Sequence, residues 1–303
     1  RQRIGFFLHV PFPPPALFAA LPKGDALLRD LASCSLIGVQ TDQDRSHLRA
    51  ALANAGALAR VETFPIGIDA AGFAAEAVRG AAGPDGRRVA ESLGGRALVL
   101  GVDRLDYSKG LPHRLVGFAH LLARFPAHRR HVTLLQVAPV SRSEVARYRA
   151  LRRELDELAG RINGEHGEPD WNPIRWITRA LPRSTLAGYH RLARVGLVTP
   201  LRDGMNLVAK EFIAAQNPAD PGVLVLSRFA GAAAELGGAI LVNPHDPDEI
   251  AEGLDAALSM DRAERVARWR QDAEIVWSGS AAAWAGGFLR VLEALPPPAA
   301  TAA

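Results

Sequence analysis

A single cysteine, Cys34, stands among the 303 residues. One thiol cannot close an internal disulfide, and no zinc site can be built on cysteines. Beside Leu36 and Ile37 it reads as a small buried hydrophobe rather than a nucleophile. Long apolar runs are lacking too, since none reaches the roughly 18–20 residues that a membrane-spanning helix needs. Both absences fit a reducing cytosol, and a cytoplasmic location is expected. No small-residue cleavage site follows Arg1-Gln2-Arg3, so the start does not read as a signal peptide. An initiator Met is also lacking. Ile4 to Leu8 reads as a buried parallel strand from the outset, and such a strand needs neighbours on both sides. The expectation is a piece of a longer protein whose amino-terminal part is missing.

Several motifs are absent as well. No HExxH, P-loop, nucleophile elbow or EF-hand pattern occurs, and the GxGxxG dinucleotide fingerprint is missing, which weakens any NAD reading. The net charge is +4, but the cations are dispersed among Asp and Glu. The densest pairs, Arg129-Arg130 and Arg152-Arg153, lack the interleaved aromatics of a nucleic-acid platform. The balance favours a solvated surface and an anionic small-molecule ligand, with no nucleic acid and no membrane as partner. No metal-ligand cluster is evident, so no metal and no cofactor are expected. Homo-oligomerisation is left open. At 48% hydrophobic and 22% charged residues, the chain has the composition of an ordinary globular protein.

What the chain does have is alternation. Apolar runs of strand length lie at 4–8, 36–39, 97–102, 132–137, 174–177, 195–199, 223–226 and 240–242. Helix-like segments separate them at 42–55, 111–124, 144–163, 184–193, 207–216 and 249–259. This order means βαβ units and parallel sheets. Ser184 and Asp246 are expected N-caps, the latter with Glu249 completing a capping box. Gly83-Pro84-Asp85-Gly86 and Gly94-Gly95 punctuate residues 80–95, read as the passage between two lobes. Residues 1–80 would then be the back part of one Rossmann-like lobe, and residues 96–260 a complete second one. Residues 261–295 are helical in pattern, and Trp269, Trp277 and Trp284 recur along them as packing residues. The Pro/Ala-rich tail, 296–303, is expected to be disordered.

The richest stretch runs from Pro200 through Arg202-Asp203-Gly204-Met205-Asn206 to Glu211, between a strand-like run and a helix-like one. In open α/β sheets such loops lie at the carboxyl ends of the strands, where ligands bind. A helix start offers unpaired N–H groups to phosphate, and carboxylates accept hydrogen bonds from sugar hydroxyls. Together they suggest a ligand that is part sugar and part phosphate. Gly101 to Gly110 has the same placement and carries Arg104 and Lys109. A planar guanidinium fork and an ammonium facing one crevice suit a diphosphate. The alternative is that Arg104 forms a surface salt bridge with Asp103 or Asp106. His9 stands at the end of the first strand, ahead of a rigid proline run, where it could meet a sugar hydroxyl in an interdomain cleft. Arg142 follows another strand and could bind a second anionic group. His166 reads as a turn residue.

These segments carry a resemblance. Phe7 to Pro13, Val102 to Gly110, Gly160 to Gly164, Pro200 to Glu211 and Pro221 to Ala233 closely resemble, in order, the trehalose-6-phosphate synthase family. That family is a retaining glycosyltransferase of the GT-B type, with two Rossmann-like lobes, of which this chain would hold the first incompletely. The resemblance implies an enzyme that transfers glucose from UDP-glucose, or another nucleotide-glucose, to glucose 6-phosphate, giving α,α-trehalose 6-phosphate. It assigns Arg104 and Lys109 to the donor diphosphate, as electrostatic stabilisers of the leaving group. It assigns Glu211 to the ribose, Asp203 and His9 to the transferred glucose, and Arg142 to the acceptor phosphate. Backbone groups of Gly204, Met205, Asn206, Leu207 and Val208 would meet the diphosphate or the glucose, and Leu181 the uracil. Retention in this family is thought to need no enzyme nucleophile, which agrees with the lack of paired catalytic carboxylates. The nucleotide sugar is a substrate, not a cofactor. The family's Gly-rich loop and several acceptor contacts are not in this sequence, so activity of the chain by itself is not implied. Two alternatives stay open: another phosphorylated acceptor, such as glycerol 3-phosphate, or a non-catalytic nucleotide-sugar-binding homologue.

Overall fold

The computed structural model describes residues 2–140 and 145–296. They form two compact units, the first taking the chain up to Ile68 and again from Gly279, the second Asp69–Ser278.

In the first unit β1 (Gly5–Phe7), β2 (Leu36–Val39) and β3 (Val61–Thr63) form a parallel sheet in the order β1-β2-β3. Helices α1 (Pro15–Phe18), α2 (Gly24–Leu31) and α3 (Asp42–Asn54) connect them. Thr41 caps α3 by accepting the Asp44 N–H, and Asp44 Oδ1 in turn accepts the Phe12 N–H at 2.8 Å. The core gathers Phe12, Phe18, Leu28, Ile37, Val39, Leu48, Leu52 and Val61. Cys34 packs half-buried against it, and burial raises its thiol pKa, as suits a small hydrophobe. β1 differs from the expected buried strand: it is an edge strand among the described residues, with Gly5 and Phe6 exposed.

The second unit begins with α4 (Ala70–Ala82) and α5 (Pro84–Leu93). The stretch 80–95 is thus mostly helix, not a passage between lobes. Gly83 stands at the N-cap, Pro84 opens α5 at the position where a missing N–H costs nothing, and Gly94 ends it. Both helices pack on a later one, Arg183–Leu192, so the division of the chain falls near residue 68 instead. Then come β4 (Ala97–Val102), α6 (Leu111–Arg124), β5 (Val132–Val137), α7 (Ala146–His166), β6 (Ile174–Ile177), α8 (Arg183–Leu192), β7 (Val195–Val198), α9 (Leu207–Ala215), β8 (Val223–Ser227), β9 (Ile240–Val242), α10 (Pro247–Ser259) and α11 (Arg262–Ser278). The six strands are all parallel, in the order β6-β5-β4-β7-β8-β9. The chain starts in the middle of the sheet, winds outward on one side, then returns to wind outward on the other. Val99, Leu134, Val195, Leu197, Val223 and Val225 pack against Leu115, Phe118, Leu122, Leu155, Ile250 and Leu254.

Asp246 caps α10 as expected, accepting the N–H groups of Asp248 and Glu249. The Glu249 side chain pairs with Arg228. Ser184 is no cap: α8 starts after Pro182, and Ser184 lies inside its first turn. His166 is not in a turn but ends α7, which continues through Gly160 and Gly164 on its open side. The helical pattern of 261–295 breaks at Gly279-Ser280, where the Ser280 side chain caps α12 (Ala281–Ala294) of the first unit. Trp269 and Trp284 pack as expected, their indole N–H groups donating to Ile213 O and Phe64 O, whereas Trp277 is exposed. Residues 297–303 of the expected disordered tail lie outside the described residues. Among the described residues no helix is long and apolar enough to cross a membrane.

Candidate functional site

β4 and β7 are neighbours, but the chain leaves β4 toward β5 and β7 toward β8. Their carboxyl ends therefore form the topological switch point of the sheet, where ligands bind in folds of this order. The two loops the sequence singled out are the ones that flank it.

Lys109 closes a short 3-10 turn, Tyr107–Lys109, whose first N–H groups are held by Asp106. Gly110 follows in the left-handed region at φ +64, where a Cβ would lie 2.6 Å from Thr199 O. Only glycine lets α6 start so close to the end of β7. The Leu201 N–H donates to Ser108 O at 2.8 Å and joins the loops. Lys109 Nζ then reaches Asp203 Oδ2 at 2.5 Å, with both side chains largely buried. Asp203 cannot turn away. Its Oδ1 accepts the Gly204 N–H and its Oδ2 the Asn206 amide, each at 3.0 Å. Its own N–H donates to Phe229 O in the loop after β8. Asn206, at φ +75, caps α9 by accepting the Ala209 N–H. Gly204, Met205 and Asn206 are buried, Val208 is half-buried, and Leu207 is exposed at the start of α9.

Arg104 is exposed beside these groups. The salt-bridge alternative does not hold among the described residues. Asp103 is engaged by Arg114 at 2.6 Å. Asp106 accepts from Ser108 N and Oγ, both at 2.9 Å, and from Tyr148 OH at 3.2 Å. Burial raises the Asp106 pKa, but those hydrogen bonds and the through-space field of Arg104 carry it below its ordinary value.

Glu211 lies in the second turn of α9. Burial drives its carboxyl up to about 7, against the pull of Arg183, while Glu76 adds to the rise. Arg183 and Glu76 are themselves paired at 3.5 Å. Leu181 occupies the loop after β6, two residues before Arg183, whose charge is felt at Glu211. Nothing in the sequence reading pointed to Arg183. A signal was available, since a cation in the first turn of a helix sits at the wrong end of the dipole.

His9 belongs to the other unit. Its ring lies 4.6 Å from that of Phe7 and 5.9 Å from that of Trp284. Gln40 Nε2 stands 3.5 Å from His9 Nδ1, while Gln40 Oε1 accepts the Ile66 N–H. Arg142 lies outside the described residues. Among the described residues no three His, Cys, Asp or Glu side chains could hold a metal ion together.

The order of the second sheet, the two loops at its switch point and the fixed Lys109–Asp203 pair define a doubly wound α/β lobe of the kind that holds phosphate-bearing ligands. Residues 1–294 match the model of glycosyltransferase family 20. The chain belongs to that family. Its sequence is 45% identical to the trehalose-6-phosphate synthase of Sinorhizobium fredii over 307 aligned positions, covering 97% of this chain and 66% of that protein. The chain therefore spans just under two-thirds of that relative's length. A Burkholderia xenovorans α,α-trehalose-phosphate synthase (UDP-forming), solved in complex with glucose 6-phosphate, superposes with a TM-score of 0.94 at 43% identity, covering 97% of this chain and 68% of that one. The Escherichia coli protein bound with UDP-2-fluoroglucose gives 0.93 at 43% identity, covering 98% and 69%. These likenesses bear out the expected GT-B-like α/β fold and its parallel sheets.

Proposed function

We infer that this chain carries the nucleotide-sugar half of a glycosyltransferase that moves glucose from UDP-glucose to glucose 6-phosphate, with retention, to give α,α-trehalose 6-phosphate and UDP. The observation that supports it most is the Lys109–Asp203 contact at 2.5 Å, beside the exposed Arg104 and the amino-terminus of α9. Further support comes from relatives solved with glucose 6-phosphate and with UDP-2-fluoroglucose.

On this reading Lys109 and Asp203 divide one ligand between them. The ammonium meets diphosphate oxygens, and the carboxylate, held by Gly204 and Asn206, accepts from glucose hydroxyls. Arg104 grips the diphosphate with its planar fork. The N–H groups of the Gly204–Val208 stretch add fixed dipoles, Glu211 accepts from the ribose, and the Leu181 loop meets the base. The bond from glucose C1 to the diphosphate oxygen breaks as the bond to the acceptor hydroxyl forms on the same face. The acceptor's proton passes to a diphosphate oxygen. The protein's task is electrostatic, namely to lower the energy of the departing diphosphate. His9 is assigned to the transferred glucose and Arg142 to the acceptor phosphate.

The test is release of UDP from UDP-glucose in the presence of glucose 6-phosphate by the full-length parent. Arg104→Ala is expected to lower kcat on the order of 100-fold, the effect of removing one preorganised charge stabiliser. Undiminished turnover in that variant counts against the assignment. UDP binding without transfer by the parent indicates the non-catalytic homologue instead.

A further inference from the structure

Arg114 lies in the first turn of α6, behind the two loops, and is fully buried. Its Nη1 donates to Asp103 Oδ2 at 2.6 Å and to Gln136 Oε1 at 2.9 Å, and its Nε donates to Thr199 Oγ1 at 3.0 Å. Asp103 is one residue past β4, Gln136 lies in β5, and Thr199 is one residue past β7. One guanidinium thus ties the carboxyl ends of three adjacent strands. Gly101 leaves it room, since a Cβ there would overlap both Gln136 Oε1 and Arg114 Nη1. Gln136 is fixed in turn, its amide donating to Gly101 O and Val137 O.

For stability alone this is a poor choice. Burying a guanidinium and a carboxylate carries a large desolvation cost, and well-packed apolar side chains often serve as well or better. Arg114 Nη2 adds to the cost, for it makes no hydrogen bond among the described residues. The return lies in the charges. Asp103 also feels Lys109 and Asp203. Along Arg114, Asp103, Lys109 and Asp203 the signs alternate. With Arg114 present, Asp103 is neutralised from behind, and the Lys109 ammonium stays directed at Asp203 and the switch point. Without it, Asp103, whose pKa burial already raises, keeps its charge only by drawing the Lys109 ammonium back from Asp203.

We propose that Arg114 is a positioning residue for the switch point: by holding Asp103 and the ends of β4, β5 and β7, it fixes Lys109 against Asp203 and keeps that charge available to a nucleoside diphosphate. The proposal rests on the reading of the switch point given above.

Calorimetric titration of UDP into this chain tests it, with thermal unfolding recorded for every variant. Arg114→Met, which keeps the bulk and removes the charge, is expected to bind UDP about tenfold more weakly. Arg114→Met/Asp103→Asn, which leaves no net charge behind the loops, is expected to recover most of that loss even though packing stays altered. Arg114→Lys keeps the charge but cannot reach three acceptors, so an intermediate loss of about threefold is expected. A folded Arg114→Met with unchanged affinity overturns the proposal, and so does a double variant that binds no better than the single one. Should Arg114→Met not fold, Arg114→Lys decides, and unchanged affinity there overturns it. Absence of UDP binding by the unaltered chain overturns the reading of the switch point itself, and with it this proposal. That outcome is distinct from a loss confined to the Arg114 variants.

Discussion

Two buried titratable groups set opposite demands on pH. His190 is fully buried on α8 between the rings of Phe73 and Phe212, and neither ring nitrogen has a hydrogen-bond partner among the described residues. Burial lowers its pKa to about 4. The unfolded chain takes up this proton near the ordinary value of about 6.5. The neutral imidazole therefore contributes stability that is complete above about 6.5 and is lost as the pH falls toward 4, about 3 kcal/mol in all. Denaturant unfolding at a series of pH values should show that slope, and His190→Leu should flatten it. Glu211 runs the other way. Its folded-state carboxyl is raised to about 7 by burial, so the group favours the folded chain only in its protonated form, below the ordinary value near 4.5, and that contribution is lost as the pH rises through 7. Ribose hydroxyls donate to a carboxylate, so UDP affinity should rise with pH through 7, with release of a proton. Calorimetry near that pH in two buffers of different ionisation enthalpy measures the proton, and Glu211→Gln should abolish its release. The placement of Arg104, Lys109, Asp203 and Glu211 toward one sheet edge was legible in the sequence because loops after strands gather there. Arg114, Arg183 and Gln40 were not, because their partners lie far along the chain and nothing local announces the pairing.

At the scale of elements, β4 to β9 were read within a residue or so, and α3, α6, α8 and α9 similarly closely. Strands buried on both faces write themselves as short unbroken apolar runs. The elements the sequence hid are the short ones and the glycine-punctuated ones, and α1 and α2, of four and eight residues, are among the short. β3 is three residues long, too short for any period to emerge. α4 and α5 are rich in alanine and charge and are punctuated by glycine and proline, which looked like a linker. In α5 those residues are its ends: Gly-Pro opens the helix and Gly-Gly follows it. The loop-to-helix junction at Gly110 gives an element-scale prediction. Gly110→Ala should destabilise the second unit by about 1–3 kcal/mol, because a side chain there meets Thr199 O in a backbone conformation that L-residues disfavour. Thermal unfolding measures the loss. UDP affinity should fall in parallel, since Leu201 and Ser108 join the same two loops.

For the whole molecule, every residue assigned to the donor except His9 falls between Asp69 and Ser278, within a single compact unit with its own core. Residues 69–278 produced alone are expected to fold and to bind UDP within a few-fold of the affinity of the chain. Circular dichroism and calorimetry check this, and an unfolded product or lost binding counts against it. By itself the sequence determined the class of fold and the edge of the sheet to which the loops of Arg104 and Asp203 belong, because hydrophobic period and turn residues are local and repeat at every βαβ unit. Only the tertiary structure decided the strand order, and hence that the loops of Arg104 and Asp203 flank one switch point. It alone decided that Asp103 belongs to Arg114 rather than Arg104, and that the chain divides near residue 68. Those outcomes depend on which distant segments share a buried surface, and packing of that kind leaves no periodic trace along the chain.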